Sequence, residues 1–211
     1  MKLTYLGHSC FLLEARDGTR IVTDPFTGIG YEMPPVEAEY AACSHFHFDH
    51  GHTEGVRGVR EIVAGAGRHT CGGVNVEGIA TFHDDVQGKK RGENTVFVFE
   101  ADGQRVCHLG DIGQPCPAEL ANKIGRADVL LVPVGGTYTV DADGALAYIE
   151  ALRPRVAVPM HYKCEGCSLD IAPLQTFLDA AARRKISVGF AGGTLECGAP
   201  FAGGIAVMER I

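Results

Sequence analysis

The six-residue run from His45 to His50 (HFHFDH) constrains this chain more than any other feature, because it holds three imidazoles and one carboxylate. These ligand types suit zinc, manganese or ferrous iron, and the lack of thiolates in the run argues against a purely structural zinc knot. The apolar stretch before it, Tyr40-Ala41-Ala42-Cys43, predicts a strand. The fold must therefore bring the end of this strand close to further ligands.

The spacing within the run predicts how its side chains are directed. In an extended segment alternate side chains share a face, so we expect His45, His47 and Asp49 to converge. His50 joins them only if the chain turns, and Gly51 offers the freedom for that turn. The alternative is a histidine-rich surface loop, which the preceding strand argues against. We predict half of a two-metal hydrolytic site, with His52 at its rim.

The composition predicts an ordinary globular protein with a small-molecule substrate. The 211 residues are 45% hydrophobic, and no linker or charge block divides them, so we expect one domain over residues 1–211. The formal net charge of -7 argues against nucleic acid as a partner. Neither a signal peptide nor an apolar stretch of about 18 residues is visible, so we expect a cytoplasmic protein without membrane insertion. A homo-oligomer is compatible with this sequence.

The eight cysteines lack the dense spacing of a secreted disulfide framework, so we expect most of them to be reduced. The exception is the pair Cys164 and Cys167, which follows His161 closely. This pair could bind metal, form a redox disulfide or simply occupy a loop. A single CxxC motif leaves these alternatives open.

The hydrophobic pattern predicts strands first and strand-helix alternation later. Strand patterns occur at residues 2–7, 10–15, 20–23, 58–67, 73–82, 94–100 and 104–109. Helical patterns at 117–124, 141–152 and 171–184 alternate with buried strands at 127–133 and 155–160, and β structure closes the chain at 187–195 and 204–208. We therefore expect an α+β fold with two sheets face to face and helices outside.

Two metal ions need more ligands than the histidine run supplies, and three residues at predicted strand ends could supply them. His83 follows the strand that ends at Phe82, Asp111 follows the strand at 104–109, and His161 follows the strand at 155–160. A lone histidine after a strand is more often a hydrogen-bonded turn residue. Three such residues in succession behind the HxHxDH run indicate a metal site.

With these motifs the chain resembles the metallo-β-lactamase-fold hydrolase superfamily almost from end to end. Its compact members, which include ascorbate-phosphate lactonase and N-acyl ethanolamine phospholipase-D-type phosphodiesterases, have similar openings at Gly7-His8-Ser9 and Thr23-Asp24-Pro25. The motifs that follow the HxHxDH signature occur in the family's order: Thr81-Phe82-His83-Asp84, His108-Leu109-Gly110-Asp111 and Pro159-Met160-His161-Tyr162.

The resemblance implies a four-layer αββα sandwich with two divalent metal ions at one edge. Zn²⁺ is the expected ion, with Mn²⁺ or Fe²⁺ as alternatives. Asp24 would hydrogen-bond near the histidine loop and fix the orientation of the ligands. The resemblance assigns His45, His47 and His83 to the first metal, Asp49, His50 and His161 to the second, and Asp111 to a bridging position.

The chemistry that follows is hydrolysis by a metal-bridging hydroxide, which Asp49 would orient or deprotonate. The expected substrate is an ester, lactone or phosphodiester of a small anionic metabolite. Arg91 could clamp its phosphate or carboxylate, and Tyr138 and Tyr162 could donate to a substrate oxygen. His8 and His108 either line the pocket or are structural histidines.

Two other functions are compatible with the same ligands. One is an iron-dependent oxidoreductase of the same fold, similar to a persulfide dioxygenase. The histidine at position 47 and the aspartate at position 111 favour hydrolysis, because flavodiiron relatives carry a glutamate in the signature. The other is a metal- or redox-responsive binding protein whose Cys164 and Cys167 gate the site.

Overall fold

The computed structural model describes residues 1–211 as strands and three α-helices, with all of the helices in the second half of the chain. The first half contains β1 (Lys2–Gly7), β2 (Cys10–Glu14), β3 (Arg20–Thr23), β4 (Val36–Glu37), β5 (Tyr40–Cys43), a 3-10 turn (Thr53–Gly55), β6 (Val56–Arg57), β7 (Glu61–Ala64), β8 (Gly67–Cys71), β9 (Val74–Phe82) and β10 (Glu93–Ala101). The second half contains β11 (Gln104–His108), α1 (Ala118–Ile124), β12 (Val129–Pro133), α2 (Ala142–Leu152), β13 (Val156–Met160), α3 (Leu174–Arg183), β14 (Val188–Phe190), β15 (Thr194–Glu196) and β16 (Ile205–Val207).

The strands form two large sheets and one small one. The six-stranded sheet has the order β15-β1-β2-β3-β5-β7, and the eight-stranded sheet has the order β14-β16-β13-β12-β11-β10-β9-β8. β1, β2 and β3 form the predicted antiparallel meander, whereas β3, β5 and β7 run parallel. β11, β12 and β13 are also parallel, so their carboxyl ends lie at one edge of the eight-stranded sheet. Strands β4 and β6 form the small sheet.

A hydrophobic core of 24 buried residues fills the space between the two large sheets. Strand β10 shows how the pattern produces this core. Phe97 and Phe99 point into the space between the sheets, while Val96 and Val98 belong to the core beneath the helices. Because successive side chains of a strand alternate between faces, a strand buried on both sides must be apolar throughout.

All three helices contribute to the core on the outer face of the eight-stranded sheet. α2 begins where the sequence predicts, because the Asp141 side chain accepts a hydrogen bond from the Gly144 backbone N–H at 2.9 Å. Tyr148 of this helix is fully buried, and its hydroxyl donates to the backbone oxygens of Gln114 and Pro115. None of the helices has the length and hydropathy needed to cross a membrane.

The outer face of the six-stranded sheet carries a third core of nine residues, which include Phe26, Ile29, Val36 and Val56. The predicted α+β sandwich is confirmed, but this layer is built by loops, β4, β6 and the 3-10 turn and contains no α-helix. The covering segment includes Pro25, Pro34 and Pro35. Proline lacks a backbone donor and interrupts helices, which explains the irregular layer.

Two of the predicted strands have different bounds in the structure. The β pattern at residues 187–195 becomes β14 and β15, which belong to different sheets, because Gly192 has a φ of 59° and turns the chain between them. The pattern at 58–67 is a strand only at Glu61–Ala64, and β8 follows as an additional edge strand. Gly65 and Gly67, with φ angles of 73° and 146°, separate β7 from β8.

Candidate metal centre

The histidine run forms a turn directly after β5. The backbone N–H groups of His50 and Gly51 both donate to the His47 oxygen, at 3.0 and 2.9 Å. The chain therefore turns at His47 and not at Gly51, whose φ is outside the left-handed region. Gly51 instead leaves room for a neighbouring ring, since a Cβ there would lie 3.1 Å from Phe46 Cδ1. The expected extended segment is wrong, but the turn still brings the side chains of the run together.

The three predicted strand-end residues join this turn. His83 follows β9, Asp111 follows β11 and His161 follows β13, and all three are buried. The Asp111 carboxylate lies at the middle of the cluster, with its Oδ2 3.2 Å from His50 Nε2, 3.3 Å from His83 Nε2 and 3.2 Å from His161 Nε2.

The side chains of the cluster form three overlapping groups of potential ligands. Within each group the nitrogen and oxygen atoms that could bind a metal lie within 4.8 Å of one another. One group is formed by His45, His47 and His83, another by His45, His50 and Asp111, and the third by His8, Asp49, His50 and His161.

Several residues of the cluster have unusual backbone conformations. His8, Asp24 and His161 have φ angles of 53°, 40° and 54°, in the left-handed region that side-chain-bearing residues rarely adopt. Such a conformation costs about 1–3 kcal/mol and persists only where the surrounding structure enforces it. Here the His8 oxygen accepts hydrogen bonds from Tyr5 Oη at 3.1 Å and from the His161 N–H at 3.0 Å.

Asp24 stabilises the histidine turn through hydrogen bonds. It is fully buried, and its carboxylate accepts hydrogen bonds from the Ser44 N–H and hydroxyl, both at 2.7 Å. It also accepts from His50 Nδ1 at 2.8 Å, which leaves His50 Nε2 free to face the cluster. Ser44 Oγ is in turn 3.0 Å from His45 Nδ1. This arrangement fixes two of the imidazoles through one carboxylate.

Three further buried side chains support the cluster in different ways. His8 Nε2 is 3.3 Å from Asp49 Oδ2, so His8 belongs to the cluster and holds this carboxylate. Asn94 Oδ1 accepts from the Asp111 N–H at 2.9 Å. His108 uses both ring nitrogens elsewhere, on the Ser9 oxygen and the Gly110 N–H, and is therefore a structural histidine.

The cluster fits divalent metal ions, because several of its buried polar atoms form no hydrogen bond, although two of them lie 3.2 Å from the Asp111 carboxylate. They include the Nε2 atoms of His45, His50 and His161 and the Oδ1 of Asp111. An unpaired buried polar group costs about 1–3 kcal/mol, so a cluster of them calls for a ligand. Imidazole nitrogens and carboxylate oxygens are donors that zinc, manganese and iron accept.

The pKa shifts of His45 and Asp111 agree with this interpretation. Burial lowers the pKa of His45 to about 3, so its imidazole is neutral, the form that binds a metal. Burial opposes ionisation of Asp111, but the adjacent His161 and His50 outweigh it and hold the pKa of this carboxyl well below its usual range. For His50 burial is outweighed by Asp111 and Asp24, which raise its pKa. A metal would displace this proton.

A cavity of about 630 Å³ opens onto the cluster. Arg91 and Tyr138 are in its wall, as predicted for substrate-binding residues, whereas Tyr162 and His8 are not. Burial raises the pKa of Tyr162, which packs against the core beneath the helices. The lining residues are Phe46, His47, Phe48, Asp49, His83, Arg91, Asp111, Tyr138 and Leu169.

The remaining candidates lie outside the cluster. His52 is partly exposed and faces Glu54, with Nδ1 3.6 Å from a carboxylate oxygen. Cys164 and Cys167 are both free and occupy a turn in which the Cys167 N–H donates to the Cys164 oxygen. Neither cysteine belongs to a potential metal-binding group.

Comparison with known proteins identifies the family. The family model for the β-lactamase superfamily domain matches residues 2–161 of the chain, which include every residue of the metal cluster. The chain belongs to the metallo-β-lactamase superfamily. This finding agrees with the order of the motifs and with the position of the cluster at the strand ends.

Other members of the superfamily resemble the chain along most of its length. A UPF0173 metal-dependent hydrolase of Carboxydothermus hydrogenoformans is 32% identical over 196 residues, which cover 77% of this chain and 84% of the relative. A Thermotoga maritima crystal structure assigned to the Zn-dependent hydrolases of this superfamily is 37% identical, with a TM-score of 0.78 and coverage of 98% of this chain and 97% of the other. The metallo hydrolase Igni18 of Ignicoccus hospitalis is 25% identical, with a TM-score of 0.65 and coverage of 87% and 91%.

Several residues around the metal cluster are not predicted from the sequence. Ser44, Asn94 and Leu169 belong to this group, as do Phe46 and Phe48. Ser44 and the two phenylalanines could have been found, because they stand within or directly beside the histidine run. Asn94 and Leu169 are distant in sequence and carry no local signal.

Proposed function

We propose that this metal-dependent hydrolase holds two divalent metal ions, with Zn²⁺ as the expected ion and Mn²⁺ or Fe²⁺ as alternatives. The first would be held by His45, His47 and His83, and Asp111 would lie between the two. The observation that carries this proposal is the convergence of buried, unpaired imidazole nitrogens on the Asp111 carboxylate. The ligands proposed for the second ion are Asp49, His50 and His161.

Two divalent ions held at such a site would supply a hydroxide nucleophile at neutral pH and positive charge that stabilises the developing oxyanion. The chain's own residues orient the reactants and move protons. Asp49 lines the cavity, and its carboxylate could take a proton from the attacking water or orient it. His8 restrains Asp49 through their contact at 3.3 Å, and Asp24 restrains His50. No serine or cysteine nucleophile is needed.

We propose an ester, lactone or phosphodiester of a small anionic metabolite as the substrate. Hydrolysis of such a bond consumes one water and yields an acid group and an alcohol group, which stay in one molecule when the substrate is a lactone. Arg91 supports the preference for an anion, because its guanidinium stands in the cavity wall beside Tyr138, with Cζ 5.5 Å from the ring centroid. The eight free cysteines suit a reducing compartment, and we propose the cytoplasm. The net charge of -7 supports a small molecule over nucleic acid as the partner.

Turnover on a panel of phosphodiester, lactone, thioester and β-lactam compounds tests this function. The zinc-loaded protein is expected to hydrolyse at least one class, chelation should abolish the activity, and added zinc should restore it. Asp111→Asn should lose at least roughly a hundredfold in kcat, as is typical when a group that stabilises the transition state is removed. Full turnover in the chelated protein or in Asp111→Asn would show that the reaction does not use this cluster.

A further inference from the structure

We infer that the substrate is amphipathic: an apolar acyl or aryl group lies on Phe46 and Phe48, and an anionic group on the same molecule binds to Arg91. This inference rests on the proposed function and narrows its substrate class. It starts from the two phenylalanines of the histidine run, which the metal site itself does not use.

Phe46 and Phe48 are exposed to an unusual degree. They are 65% and 56% exposed, and they account for two of the five exposed large hydrophobic residues of the chain. Both alternate with residues of the metal cluster, and both line its cavity. Large apolar side chains exposed together at a cavity indicate a binding surface, because burial of their area by a ligand is favourable.

The two rings lie beside glycines, where a larger residue would crowd them. A Cβ at Gly28 would lie 3.3 Å from Phe48 Cδ2, and a Cβ at Gly51 would lie 3.1 Å from Phe46 Cδ1. The Phe48 oxygen also accepts a hydrogen bond from the Thr27 N–H at 3.2 Å. Each ring therefore has one side beside a glycine, and most of its surface is exposed.

Leu169 extends this apolar surface within the cavity. Its loop is tied to the segment that carries Gly28, because the Ser168 N–H donates to the Ile29 oxygen at 2.7 Å. The cavity of about 630 Å³ falls within the usual size range of small-molecule sites. It is large enough for a medium-length acyl chain together with its polar group.

Arg91 provides a cationic group in the same cavity. One Nη2 hydrogen bond goes to the Thr137 oxygen at 2.8 Å, and a guanidinium has five N–H donors, so others can bind an anion. The loop that carries Arg91 is fixed by the Asp84 carboxylate, which accepts four backbone N–H groups at 2.8 to 2.9 Å. These donors belong to Val86, Gly88, Lys90 and Arg91.

Calorimetric titration of the zinc-loaded protein with octylphosphonate, methylphosphonate and octanol tests the inference. Octylphosphonate should bind at least roughly tenfold more tightly than methylphosphonate, because the octyl chain buries apolar area. The double variant Phe46→Ala/Phe48→Ala should lose most of this difference. Phe190→Ala is the matched control, since Phe190 is 75% exposed but lies on β14, outside the cavity. This variant should retain the affinity difference between the two phosphonates.

Arg91→Met tests the anionic half with the same probes. It should weaken octylphosphonate binding roughly tenfold and leave octanol binding unchanged, because only the phosphonate needs the guanidinium. Unchanged phosphonate binding would assign the anion to the metal ions alone and overturn this half of the inference. Equal affinities for octyl- and methylphosphonate, or equal losses in Phe190→Ala, would overturn the apolar half.

These outcomes are separate from those of the proposed function. Turnover on the panel without any chain-length preference in binding would overturn the amphipathic substrate and leave the hydrolase intact. Chain-length-dependent binding without metal-dependent turnover would overturn the hydrolytic role of the site.

Discussion

At the scale of single residues, the metal centre depends on side chains that do not face the cavity. A hydrogen bond to one nitrogen of a buried imidazole fixes the ring and directs the other nitrogen at a metal. Asp24 does this for His50 directly and for His45 through Ser44. Burial opposes the charge of Asp24, but the neighbouring His50 and His108 outweigh it and lower the pKa of this carboxyl. The carboxylate is therefore ionised at neutral pH.

Asp24→Asn is expected to weaken metal binding roughly 10- to 100-fold, the range observed when such supporting carboxylates are replaced. An amide has a single acceptor oxygen and cannot satisfy both Ser44 and His50 as the carboxylate does. Competition with a chromophoric chelator measures the affinity. Asp17→Asn is the control and should bind metal normally, because Asp17 belongs to none of the potential metal-binding groups. Wild-type affinity in Asp24→Asn would mean that the imidazoles need no such support.

At the scale of elements, the turns connect the strands into a sandwich. The turn between β2 and β3 contains Asp17, whose carboxylate accepts hydrogen bonds from the Thr19 N–H at 2.9 Å and the Thr19 hydroxyl at 3.0 Å. Thr19 Oγ1 also accepts from the Gly73 N–H at 3.2 Å, in the turn between β8 and β9. Asp17 and Thr19 thus help to hold the β2–β3 hairpin of the six-stranded sheet to the β8–β9 hairpin of the eight-stranded sheet.

The contribution of Asp17 to stability should depend on pH. The hydrogen bonds from Thr19 lower its pKa below the ordinary value of 3.8, so the folded protein favours the carboxylate. A group whose pKa is lower in the folded state stabilises the fold at pH values above its pKa in the unfolded chain. This stabilisation is lost as the pH falls through the pKa of the folded state. Asp17→Asn should therefore have a lower Tm than the wild type at pH 6, and the difference should shrink below about pH 4.

Thermal unfolding between pH 3 and pH 7 measures this difference, with Asp170→Asn as an exposed control aspartate. A Tm difference that stays constant over the whole range would exclude the charge of Asp17 as its cause.

At the scale of the whole molecule, the sequence predicts those features that have a local pattern. The central strands β12 and β13 are continuous apolar runs, and Asp141 caps α2 as its sequence indicates. The predicted cluster residues after β9, β11 and β13 converge because parallel strands bring their ends to one edge. These predictions succeed because hydrophobic periodicity and helix capping depend on residues close together in the sequence.

Other features depend on contacts between distant segments and have no local pattern. Residues 187–195 are divided between two sheets because β14 pairs with β16, whereas β15 pairs with β1. Tyr162 follows His161 directly, but it packs against the core beneath the helices and does not line the cavity. The role of Gly51 depends on the Phe46 ring packed against it.

The cluster also joins the two large sheets. His45, His47 and His50 follow β5 of the six-stranded sheet, whereas His83 and His161 follow strands of the eight-stranded sheet. Metal ions bound here would link the sheets at one edge and stabilise the folded state by mass action. The proposed cofactor would therefore contribute to the fold as well as to the reaction.

Metal content per chain is the sharpest test of the proposed two-metal site. The protein is loaded with zinc, freed of excess zinc by gel filtration and analysed by mass spectrometry of the metal. We predict two zinc ions per wild-type chain and about one in His47→Ala and in His161→Ala, since each variant removes a ligand from one proposed site. One or no zinc ion in the wild type, or two in both variants, would contradict the account.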